Sequence, residues 1–196
     1  TVGYLGSGNP FNVRSIRDCA VELLTAPDLT RHFRFVLAGS ICSRFVRPPK
    51  PFELLGTVDD LHDFYCDVDI VLNPMLGGTG LKIKSLEALS FGLPLLGTDD
   101  AWAGISTANA AWPQGPAPKL VDALRTIAQV PGLLDTLRKR CQHIYTDYLA
   151  TQLRTMHDLF TTSGLGHPHV HTQSHTHLQA HSYPIKPLPS TEGTLP

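Results

Sequence analysis

Residues 69–100, DIVLNPMLGGTGLKIKSLEALSFGLPLLGTDD, constrain this chain more than any other stretch. Residues 69–73 are an aliphatic run closed by Pro74, which suits a strand buried in a parallel sheet. Gly77, Gly78 and Gly80 follow, around Thr79. Residues 81–91 then carry a helical pattern, and Gly92 stands where helices commonly stop. Residues 93–97 read as the next strand. Strand, glycine loop, helix and strand in this order imply parallel strands joined by a crossover helix.

The same order has a chemical meaning. Glycines between a strand and a helix let backbone N–H groups approach a ligand, and the helix N-terminus adds about half a positive charge. A diphosphate is the kind of anion that fits there. Gly80, Lys84 and Glu87 share one helix face, so a lysine near phosphates and a carboxylate one turn deeper could grip a nucleoside diphosphate, with Glu87 accepting from ribose hydroxyls. The plainer alternative is a glycine turn before an ordinary helix, with Lys84 and Glu87 as a solvated ion pair contributing about 0.2–0.5 kcal/mol.

The rest of the chain repeats the alternation. Residues 2–6 read as a strand and are followed by a first glycine loop, Gly6-Ser7-Gly8-Asn9-Pro10. Asn12 is a candidate N-cap for the next helix, whose apolar face comprises Val13, Ile16, Ala20, Leu23 and Leu24. Residues 33–39, FRFVLAG, read as a second strand; residues 40–51 as a polar connection with Arg44, Arg47 and Lys50; residues 52–56 as a third strand; and residues 59–66 as a short helix. Residues 119–129 and 132–160 are helical, the second long and amphipathic, with a stripe of Leu133, Leu137, Cys141, Ile144 and Tyr148. The expected architecture is α/β: a Rossmann-like parallel sheet with helices on both faces over residues 1–163. The first loop is no dinucleotide fingerprint, because Phe11 stands where the third glycine belongs and no acid ends the second strand. Thr1 is not a methionine and a strand begins at once, so the chain is expected to continue on its N-terminal side.

Composition narrows the function classes. Sixteen Lys and Arg against seventeen Asp and Glu give a net charge of −1, which indicates no general attraction to nucleic acid. No apolar run is long enough to span a bilayer, and no signal peptide is visible. The cysteines Cys19, Cys42, Cys66 and Cys141 lack metal-ligand spacing, so no metal site is assigned and a reducing, cytoplasmic setting is inferred. Cys19 and Cys66 are expected as small apolar fillers on helices. Asp99 and Asp100 are adjacent, so their side chains diverge and form no acid/base pair. Residues 164–196 are rich in histidine and proline with no apolar periodicity, and are expected to be disordered. Their histidines bear two readings, a metal-binding tail or an incidental affinity for metal.

The succession VGYLGS, FRFVLAG, FELLGTVDDL and YCDVDIVLNPMLGGTGLKIKSLEALSFGLPLLGTD resembles the C-terminal, nucleotide-sugar-binding half of a GT-B glycosyltransferase. It is most similar to the retaining group called glycosyltransferase family 4, or glycosyl transferases group 1. The resemblance covers residues 1–160 and is most specific in GTGLKIKSLEALSFGLPLLGT. It implies that Glu87 is the second glutamate of an E-x7-E motif and holds the donor ribose. Thr79 takes the place of the first glutamate. Gly78, Thr79 and Gly80 would meet the donor diphosphate through their amides, Lys84 would contact phosphate, and Gly6 and Ser7 would face the phosphates across the cleft. Lys82, Lys84 and Arg14 are the cations at hand. No cofactor is implied beyond a nucleoside-diphosphate sugar as donor substrate. The acceptor, whether glycan, lipid or small molecule, would be bound by an N-terminal domain that this sequence lacks, so the chain would bind donor without turning it over, in the cytoplasm or peripheral to a membrane through that missing half. The competing expectation is a non-catalytic interaction module of the same fold.

Overall fold

The computed structural model describes residues 1–77, 81–105 and 114–162. The expectations for Gly78, Thr79 and Gly80, and for the tail from residue 164, lie outside the described residues. Five strands form one sheet: β1 (Val2–Leu5), β2 (Phe35–Ala38), β3 (Glu53–Gly56), β4 (Ile70–Asn73) and β5 (Leu95–Gly97). Five α-helices accompany them: α1 (Pro10–Leu24), α2 (Leu61–Asp67), α3 (Ile83–Ser90), α4 (Ala117–Gln129) and α5 (Leu133–Thr162). The strand order is β3-β2-β1-β4-β5 and every pairing is parallel. Val2 pairs with Phe35 on one side and Ile70 on the other, so β1 is central and buried. The chain runs outward from β1 through β2 to β3, then returns to β4 and runs the other way. Right-handed crossovers therefore place the helices of the two halves on opposite faces. The packing agrees: α1 lies against α4, and α3 against α5.

Local chemistry sets the element ends. Pro10 occupies the first turn of α1, where its missing N–H costs nothing, and the N-cap is Asn9, whose Oδ1 accepts from the Asn12 N–H at 2.8 Å. Asn12 is thus not the cap; it is a buried residue inside the first turn. Gly92 ends α3 at φ 66°, with its N–H bonded to the Leu89 carbonyl and the Leu93 N–H to the Ala88 carbonyl. These two bonds make a Schellman motif, which turns the chain directly into β5. Asp60 caps α2 by accepting from the His62 N–H.

Other expectations change in detail. Leu24 is 59% exposed, because α1 buries Val13, Ile16, Ala20 and Leu23 and its last residue has turned away from the sheet. Cys66 is exposed beside His62 rather than filling a core gap, while Cys19 is buried; all four cysteines are free. The connection after β2 contains a 3-10 turn, Ser40–Arg44, that buries Ile41 and Cys42. Helix α3 starts at Ile83, two residues later than its pattern suggests, with Lys82 at the N-cap position. Among the described residues no helix is long and apolar enough to cross a membrane.

Candidate functional site

Two loops leave the sheet side by side at its C-terminal edge. Because the strand order reverses between β1 and β4, the loop after β1 and the loop after β4 flank the crevice where open α/β sheets receive ligands. The first is the Gly6–Asn9 segment. The Gly6 N–H donates to the Ala38 carbonyl at 3.0 Å, and the Gly6 carbonyl accepts from the Ile41 N–H at 3.1 Å. A Cβ on Gly6 would lie 2.6 Å from the Tyr4 ring and 2.7 Å from its hydroxyl, so this position tolerates only glycine without moving Tyr4. The Gly8 N–H donates to Ser40 Oγ at 3.2 Å. Asn12 Nδ2 donates to the Ser7 carbonyl at 3.0 Å and to Ser7 Oγ at 3.2 Å, and Asn9 Nδ2 reaches the same Oγ at 3.1 Å.

The stem of the second loop is latched from both sides. Ser15 Oγ on α1 accepts from the Leu76 N–H at 3.0 Å, and the Asp100 carboxylate accepts from the Gly77 N–H at 2.6 Å. Thr98 Oγ1 donates to the Met75 carbonyl. Asp100, next to Asp99, is committed to the Gly77 amide. The beginning of α3 is anchored by a buried chain in which Asn73 Nδ2 donates to Ser85 Oγ and Ser85 Oγ donates to the Ala101 carbonyl.

Lys84 and Glu87 point to different partners rather than to each other, so the solvated ion pair does not form. Lys84 Nζ donates to the Tyr4 hydroxyl at 2.8 Å and to Asn12 Oδ1 at 3.1 Å, and lies 4.6 Å from the Tyr4 ring centroid. Burial lowers its pKa from the ordinary lysine value to about 8; Glu87 opposes that shift and Lys82 adds to it. Glu87, partly buried, accepts from the Tyr65 hydroxyl at 2.9 Å. Tyr65 is itself stacked on Phe91, with ring centroids 4.7 Å apart, and burial followed by the Glu87 charge raises its pKa. Glu87 therefore has its carboxylate oriented by one donor, the hydroxyl of a tyrosine stacked on Phe91.

The structure thus joins Gly6, Ser7 and Lys84 through Tyr4 and Asn12, and carries Glu87 one turn further along α3, bonded to Tyr65. Among the other cations, Lys82 is buried at the α3 N-cap, whereas Arg14 is exposed on the outer face of α1, 3.7 Å from Asp18. Sequence reading missed Tyr4, Asn12, Tyr65 and Asp100. Tyr4 alone had a local signal, as a phenol two residues before a glycine loop. The others meet partners 22 to 72 residues away. Among the described residues no cluster of histidine, cysteine and carboxylate could hold a metal ion.

A parallel sheet in the order β3-β2-β1-β4-β5 with a glycine loop at its switch point defines a Rossmann-like α/β domain, and solved structures share that fold. HepE from Anabaena, in complex with UDP, matches with a TM-score of 0.62 at 13% identity, over 82% of this chain and 48% of HepE. WaaG, a glycosyltransferase involved in lipopolysaccharide biosynthesis, matches with a TM-score of 0.56 at 18% identity, over 74% of this chain and 42% of its own. TarM gives 0.54 at 16% identity, over 78% and 34%. The chain spans less than half the length of each. No curated protein matches it in sequence. Residues 1–129 match the family described as glycosyl transferases group 1, and the chain belongs to that family.

Proposed function

We propose that this chain is the donor-binding half of a retaining glycosyltransferase of family 4, which transfers a sugar from a nucleoside-diphosphate sugar to an acceptor held by a second, N-terminal domain. The observation that supports this reading is that the first glycine loop, the stem of the second at Leu76 and Gly77, and α3 all lie at the sheet's switch point, with an oriented carboxylate, Glu87, one turn along that helix. In this reading the amides of Gly78, Thr79 and Gly80 receive the diphosphate, Gly6 and Ser7 face it from β1, and Lys84 supplies positive charge from below. Glu87 accepts from the ribose hydroxyls with the oxygen capacity that Tyr65 leaves unused. HepE, crystallised with UDP and with UDP-glucose, makes a uracil nucleotide the first candidate.

The chemistry assigned to this half is stabilisation of a leaving group. As the anomeric carbon–oxygen bond breaks, charge grows on the departing diphosphate. Fixed amide dipoles and a helix N-terminus stabilise that charge without reorganising. In this reading the acceptor and the groups that deprotonate it belong to the other domain.

Isothermal calorimetry with UDP, GDP and ADP and their sugars tests this. One nucleotide series should bind, and Glu87→Ala should weaken it by roughly tenfold or more, the loss of hydrogen bonds to a charged acceptor. Binding that is unchanged in Glu87→Ala removes the ribose role. Absence of heat with all three bases would favour a non-catalytic module, to which the loss of the first motif glutamate at Thr79 already points.

A further inference from the structure

One amide is wired between the first glycine loop and α3. Asn12 is 3% exposed, and its orientation is dictated by its neighbours. The Lys84 ammonium can only donate, so the side-chain oxygen must face it; the nitrogen must then face the Ser7 carbonyl, which can only accept. Lys84 is in turn seated on the Tyr4 hydroxyl, directly beneath Gly6. The result is a continuous path from α3 through Lys84 and Asn12 to Ser7, with a branch through Tyr4 to the underside of the same loop.

We infer that Asn12 is a positioning residue through which Lys84, and hence the helix bearing Glu87, sets the conformation of the first glycine loop. Lys84 does this from inside the fold, with two of its three hydrogens already committed to protein acceptors. A neutral Lys84 holds the Asn12 oxygen less firmly than an ammonium does, because hydrogen bonds from charged donors are the stronger ones. The loop is therefore ordered most tightly when Lys84 is protonated. The charged and titratable groups facing that nitrogen are Tyr4 from β1, and Glu87 and Lys82 from its own helix; Tyr65 of α2 acts one step away through Glu87. The two tyrosines titrate far above Lys84, since burial raises both. Resting on the donor-binding reading, a bound diphosphate should add negative charge above the loop and draw a proton onto Lys84.

Amide NMR of the isotope-labelled chain, followed through the region around pH 8, is the test. The Ser7 and Gly8 amides should shift with a midpoint of about 8 in the unaltered protein. Lys84→Met should abolish that inflection. Asn12→Asp keeps an acceptor for Lys84 but has no N–H for Ser7; it should speed hydrogen exchange across residues 6–9 by roughly fivefold, the worth of one neutral hydrogen bond. Amides of residues 35–38 serve as the check that the sheet is intact. A Ser7 resonance that is flat through this range in the unaltered chain, or that keeps its inflection in Lys84→Met, overturns the proposal. Addition of UDP should raise the midpoint. A midpoint that no nucleotide moves would count against donor binding while leaving the coupling established.

Discussion

Lys84 carries a positive charge in a place that disfavours it, and the sign of its effect on stability follows. In the fold its pKa is lowered by burial to about 8, below the ordinary lysine value of 10.5. Between those values the unfolded chain holds a proton that the folded chain has released, so Lys84 destabilises the fold fully below pH 8 and progressively less up to pH 10.5. Cys19 and Cys141 act in the opposite sense. Burial raises both thiols to about 12, so they keep protons above pH 9 that the unfolded chain gives up, and stability falls there. The net pH curve mixes these trends, but a difference isolates one of them. Urea denaturation of the unaltered chain and of Lys84→Met should show a stability gap in favour of Met that narrows steadily from pH 8 to pH 10.5. A gap that does not change with pH would mean that Lys84 is not depressed. At the neighbouring carboxylate, Tyr65→Phe removes the donor that orients Glu87. It should cost about 1–3 kcal/mol of stability, read by the same denaturation, and weaken nucleotide binding alongside.

At the scale of elements, the site depends on how closely helices approach the central strands. A Cβ on Gly3 would fall 2.5 Å from Val68 Cγ1 and 2.8 Å from the Phe64 ring, so this glycine is what lets α2 and the turn after it rest on β1. Gly3→Ala should destabilise the domain by about 1–3 kcal/mol through overpacking, measured as a lower urea midpoint with an unchanged m-value. It should also disturb Tyr65, since Phe64 and Tyr65 pack edge to face at 5.2 Å. Much of this level was legible in the sequence. Aliphatic runs ending in glycine or proline gave all five strands to within two residues, and Gly92 gave the end of α3. The N-terminus of α1 was misplaced by three residues because two asparagines compete for the cap. Pro10 decides between them, since a proline inside the first turn puts the cap just before it. What the sequence could not show was direction. The 3.6-residue period places Lys84 and Glu87 on one face of α3, but whether they meet each other, a ligand or a buried phenol depends on Tyr4 and Tyr65, which arrive from other elements. The Asp100 latch on Gly77 was hidden for the same reason: the partners are separated by a helix and a strand.

For the molecule as a whole, the longest element contributes to the fold with only part of its length. Helix α5 runs for 30 residues, about 45 Å at 1.5 Å per residue. Its first half buries Leu137, Cys141 and Ile144, and Arg138 at the same end pairs with Asp69 at 3.2 Å beside β4. Beyond Tyr148 the expected apolar stripe continues as Leu149, Leu153, Met156 and Phe160, spaced four, three and four apart, but Leu153 and Phe160 are 66% and 65% exposed. Amphipathic pattern alone therefore predicted a helix correctly and its burial only in part, because a stripe records that a face is apolar and not what lies against it. The consequence is testable by truncation. A chain ending at residue 148 keeps every buried side chain of the core cluster and both glycine loops. It should unfold cooperatively with a thermal midpoint within a few degrees of the full chain, since a loss of 1 kcal/mol shifts a domain of this size by roughly 2–4 °C. Its nucleotide affinity should be unaltered. It should also bind less of a hydrophobic dye, as the five exposed apolar side chains Leu149, Leu153, Met156, Leu159 and Phe160 are removed. A midpoint lowered by roughly ten degrees or more would show that the outer half of α5 supports the sheet through contacts that its burial does not reveal.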